Sequence, residues 1–77
     1  MEFNLTSAQK LQALESSEVA LSHEIYNLLL RMNFDPDIFE ESDLDSFVEP
    51  SMDGELLRLR KLLASYEAVK AKIQLLS

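Results

Sequence analysis

Few residues of this chain have types suited to chemistry. It has one histidine and no cysteine, so a thiolate nucleophile, a cysteine metal site and a disulfide framework are all excluded. His23 stands next to Glu24 and three residues before Tyr26, with no second imidazole nearby in sequence. It is expected to be a solvated residue on the outer face of a helix. Carboxylates recur in pairs at Asp35 and Asp37, Glu40 and Glu41, and Asp43 and Asp45. General acid–base work by a carboxyl needs walls that strip it of water, and the segment holding these pairs offers none. The alternating aspartates also resemble the start of a calcium loop. Counting from Asp35, however, puts Phe39 at the fifth position, Glu40 where glycine is required and Ser46 where the closing glutamate belongs, and the frame from Asp43 has Phe47 at its fifth position. No catalytic, cofactor-binding or metal-ligating residue is expected, and the chain reads as a non-enzyme without a cofactor.

Charge divides the sequence into three blocks. Residues 1–32 carry four acids and two bases, residues 33–55 carry nine acids and no base, and residues 56–77 carry one acid and five bases. Arg58, Arg60 and Lys61 would suggest a nucleic-acid patch if they stood alone. The neighbouring acids and a net charge of −7 oppose binding to phosphate or anionic lipid, and intramolecular pairing is the expected use of these bases. No apolar run approaches the roughly 20 residues needed to span a bilayer, and no secretory signal pattern is seen, so a cytoplasmic setting is expected.

The elements that position these residues follow from hydrophobic spacing. One glycine and two prolines in 77 residues leave little material for hairpins or a many-stranded sheet. Leu11, Leu14, Glu18, Leu21, Ile25, Leu28 and Met32 alternate by three and four, as do Leu59, Leu62, Tyr66, Val69, Ile73 and Leu76. The spacing predicts a helix over about 7–32, with Thr6 or Ser7 capping it, Gln9 at capping-box spacing from Thr6, and a stop at Asn33. A second long helix is predicted over about 53–76, capped by Ser51 or Asp53, with Lys70 and Lys72 placed to complement its dipole. The expected fold is all-α: an antiparallel helical hairpin of two long helices, with a short helical acidic connector packed at one end, forming a single domain over 1–77.

Facing positions of an antiparallel hairpin have a constant sum of residue numbers. One register matches Leu28 with Leu59, Ile25 with Leu62, Leu21 with Tyr66, Leu14 with Ile73 and Leu11 with Leu76. It sets Glu18 against Val69, with Lys70 as the expected counter-ion. Tyr26, Leu29 and Leu30, together with Leu56, Leu57 and Leu63, make both helices apolar nearly all round at the connector end, which calls for cover on more than one side. Phe34, Ile38, Phe39, Leu44, Phe47 and Val48 are the expected cover. Asp35-Pro36 predicts a short helix over about Pro36 to Glu41, and Ser42 or Asp43 a further turn ended by Glu49-Pro50.

The function expected from this pattern is a small acidic protein–protein interaction module of adaptor, chaperone or inhibitor type. Its expected contact residues are Val19, Tyr26 and Leu30 on the leftover apolar stripe of the first helix, and Asp37, Phe39, Glu40, Glu41, Asp45 and Phe47 in the connector. The phenylalanines are anchors if exposed and core packing if buried. The expected partner is another protein, with a basic surface in one reading and a second copy of the chain, as a homodimer, in another; neither nucleic acid nor membrane is expected as a partner. The alternatives are a structural homodimer forming a four-helix bundle and an acidic nucleic-acid mimic.

Overall fold

The computed structural model describes residues 4–77. Two long helices, α1 (Ser7–Arg31) and α2 (Asp53–Leu76), pack antiparallel, and a connector holding two short 3-10 turns, η1 (Glu41–Ser46) and η2 (Pro50–Met52), lies at one end. The antiparallel sense is shown at both ends of the pair: Glu24 of α1 meets Arg58 of α2 near the connector, while Lys10 and Leu14 stand beside Lys72 and Leu76 at the far end.

Local chemistry sets the bounds of α1. The Thr6 hydroxyl accepts from the Gln9 backbone N–H at 3.2 Å, and the Thr6 N–H donates to Gln9 Oε1 at 3.0 Å, so two otherwise unpaired amides are satisfied as the capping-box spacing predicts. At the other end Asn33 adopts a left-handed backbone with φ 66°. Its N–H donates to the Leu30 carbonyl at 3.1 Å, and the Phe34 N–H donates to the Leu29 carbonyl at 2.9 Å. This is a Schellman cap, and it comes with the usual apolar contact because Phe34 packs on the cluster that contains Leu29. The stop expected at Asn33 therefore has a concrete cause: the cap turns the chain and aims Phe34 at the core.

The start of α2 differs from expectation. Neither Ser51 nor Asp53 caps it, since Met52 holds the cap position without a side-chain hydrogen bond and Asp53 is already helical. The Ser51 hydroxyl is turned back to Glu49 Oε1 at 3.3 Å, and the Met52 N–H donates to the Glu49 carbonyl at 2.8 Å. The η2 turn thus feeds directly into the helix, leaving Asp53 and Glu55 in the first turn to complement the dipole. No base lies in the last turn; Lys70 and Lys72 stand just ahead of it, short of the expected dipole position.

Every seam position of α1 is buried or half-buried, and so is every one of α2 up to Ile73. Burial is uneven along the seam. The buried residues, Ile25, Leu28, Leu29, Met32, Leu44 and Leu59, all lie at the connector end, where three layers of chain meet. Toward the far end, Leu11, Leu14, Leu21, Val69 and Ile73 are only half-buried, because two helices alone leave the flanks of their seam open to water. Leu62 packs on the cluster that contains Ile25, while His23 and Lys72 are exposed.

The connector covers the hairpin end by a different route from the one expected. There is no helix over Pro36–Glu41. Asp35 instead starts a single turn, its Oδ1 accepting from the Asp37 N–H at 3.0 Å and its carbonyl from the Ile38 N–H at 3.2 Å. Asp-Pro suits this turn as well as it suits a helix start. What decides between them is Phe39, which leaves the turn to pack edge-on against Phe34 with ring centroids 5.2 Å apart, while Phe47 also meets the Phe34 ring, tilted, at 5.3 Å. Between the two rings, Glu40 is extended and its N–H donates to Asp43 Oδ2 at 3.0 Å, starting η1 and carrying Leu44 to 2% exposure.

Candidate interaction surfaces

The expected contact residues fall into three places. Val19, Tyr26 and Leu30 share one outward face of α1 and are 56%, 48% and 50% exposed. Spacings of seven and four residues keep them on that face, and the opposite side of the helix is occupied by the seam. Phe39 and Phe47 are half-buried and pack against the core cluster. The four acids expected to meet a partner, Asp37, Glu40, Glu41 and Asp45, are all exposed. Asp45 also faces Arg60, with its Oδ1 3.7 Å from the guanidinium.

The other charged positions are redistributed relative to expectation. Arg58 pairs with Glu24 of α1 at 3.7 Å and Arg60 with Asp45, so two members of the basic cluster are used within the molecule. Both pairs are well exposed to water, where such contacts contribute under about 1 kcal/mol. Lys70 does not pair with Glu18. Its ammonium lies over the Tyr66 ring, 5.3 Å from the centroid. Glu18 is half-buried, and its backbone carbonyl accepts from the Ser22 hydroxyl at 2.8 Å.

Several exposed apolar residues and one groove differ from the expected arrangement, and Leu57, expected to be covered at the connector end, is 56% exposed. Ile38 and Val48, expected to cover the core, are instead 75% and 83% exposed. At the far end, a groove of about 470 Å³ is lined by Ala13, Leu14, Leu75 and Leu76 of the two helices, by Leu5 just before α1, and by Lys10 and Lys72. Leu75 lies outside the α2 seam, which is why heptad reasoning passed over it. A second hollow, of about 720 Å³ and more polar, lies where the connector meets α1 and is bounded by Phe47, Val48, Glu49 and Met52.

Among the described residues no group of three or more histidines or acids is placed to hold a metal ion, and no helix is long and apolar enough to cross a membrane. The chain matches no known protein family, and neither curated proteins nor solved structures include a significant relative.

Proposed function

We propose that this protein is a protein–protein interaction module of adaptor, chaperone or inhibitor type, binding a partner protein through the outer face of α1. The observation that carries this reading is the exposed stripe Val19, Tyr26 and Leu30: three large apolar side chains in register on a helix whose other side is already committed to the seam. A stripe at seven and four spacing suits an apolar surface or a second helix laid along it. The exposed acids Asp37, Glu40 and Glu41 add a negative field at one end, which favours a partner with basic residues beside its apolar surface and speeds encounter with it. A homodimer through this same face, two hairpins making a four-helix bundle, is the structural alternative.

The test uses a variant carrying Tyr26→Ser and Leu30→Ser, with affinity capture and sedimentation of both proteins. The variant should keep its helical circular dichroism while losing the captured partner, or losing the dimer if the partner is a second copy. Capture and sedimentation identical to those of the native chain would reject the α1 face as the binding surface.

A further inference from the structure

We infer that the far-end groove is a docking site for a second copy of this chain, taking the connector turn of the next molecule with Ile38 as the inserted side chain.

The two surfaces are complementary in kind. The groove has apolar walls at Leu14, Leu75 and Leu76, and Leu75 is 83% exposed. Its sides carry Lys10 and Lys72, one from each helix, and among the described residues neither forms an ion pair. Two such ammonium groups beside an apolar floor suit an occupant with an aliphatic side chain set among carboxylates. They also oppose a symmetric groove-to-groove contact, which would bring four lysines together.

The connector supplies an occupant of this chemistry. Ile38 stands out from a turn braced by the Asp35 carboxylate and carbonyl, while the residue after it packs inward on Phe34. Its place is therefore fixed before binding, and little further order has to be imposed. Asp37 precedes it and Glu40 and Glu41 follow it, all exposed and without a base in the segment. Ile38 is 75% exposed, an aliphatic knob presented to water among acids.

Groove and knob lie at opposite ends of a molecule 44 Å long. The contact is therefore heterologous, and each copy that docks leaves one groove and one knob for others. This inference deepens the connector half of the proposed function by naming the basic surface it meets, and it does not use the α1 face.

Sedimentation of the full chain over a wide concentration range tests it, with two variants that leave the net charge unchanged, Ile38→Ser and Leu75→Ser. The native chain should associate as concentration rises. Each variant alone should associate at least about tenfold more weakly. Mixed together, they should recover one contact and stop at a dimer, because one variant retains the groove and the other retains the knob. Carbodiimide coupling of isotopically distinct copies should then join Lys10 or Lys72 of one copy to Asp37, Glu40 or Glu41 of another. A native chain that stays monomeric at every concentration would overturn the inference, and so would variants that associate as the native chain does, or a mixture that fails to pair. The Tyr26→Ser, Leu30→Ser variant should self-associate through this contact unchanged, so a failure of the α1 reading and a failure of this one give different patterns.

Discussion

At the scale of single residues, two backbone positions have opposite requirements. Asn33 is held at φ 66°, a conformation glycine adopts without strain and a β-branched residue resists. Asn33→Gly should match or exceed the native stability, whereas Asn33→Val should lower it by about 1–2 kcal/mol, read from urea midpoints at unchanged slope. Gly54 is the converse case. It lies within the first turn of α2 without positive φ, and a Cβ built there meets nothing within 4 Å. Gly54→Ala should therefore stabilise the protein by about 0.4–1 kcal/mol, chiefly by restricting the unfolded chain. An unchanged or lower midpoint would show that the bend from η2 into α2 needs glycine after all.

Among the elements, the connector and the two ends of the hairpin differ in how firmly they are held. Leu44 is the residue by which η1 reaches the core, and with Leu59 it is the most deeply buried side chain. Leu44→Ala should cost about 2–5 kcal/mol, the range for a buried leucine that leaves a cavity. Hydrogen exchange should show that loss first in residues 35–52, where the connector is pinned by Leu44 and by the Phe34, Phe39 and Phe47 cluster. A uniform rise over all amides would mean that connector and hairpin open as one unit. In the native chain, amides of α1 before Leu21 and of α2 after Val69 should exchange faster than those around Ile25 and Leu59. The far half of the seam is only half-buried, and open flanks lower the cost of local opening.

For the molecule as a whole, charge acts over longer distances than any single contact. Nine acids and no base between residues 33 and 55 repel one another, and among the described residues a single ion pair from that segment offsets them, Arg60 with Asp45. Added salt should therefore raise the unfolding midpoint modestly, because screening at about 8 Å in physiological salt weakens repulsion spread over the connector. A midpoint that falls with salt would mean that the exposed pairs to Arg58 and Arg60 outweigh this repulsion. Neutralising Asp37, Glu40, Glu41 and Asp45 together should slow association with a captured basic partner while leaving its dissociation rate nearly unchanged. An unaltered association rate would confine the acidity to solubility.

Much of this architecture is legible in the sequence because it rests on local chemistry and on helical period. The Thr6 and Gln9 capping box, the stop at Asn33 and both heptad seams depend on residues three to seven apart, and each stands where the spacing puts it, apart from Leu76 at the exposed end of the α2 seam. The face formed by Val19, Tyr26 and Leu30 follows from the same period, since a helix fixes which residues share a side. Tertiary structure decided the connector. Asp35-Pro36 is compatible with a helix and with a turn, and the choice falls to Phe39 and Phe47 meeting Phe34, a contact between residues that no local rule brings together. That packing draws Phe39 and Phe47 inward and leaves Ile38 and Val48 in water, the reverse of a cover made from every apolar residue of the segment. The groove between Leu14 and Leu75 arises in the same way, from two antiparallel helices ending side by side, and its lysines become neighbours only once α1 and α2 have packed.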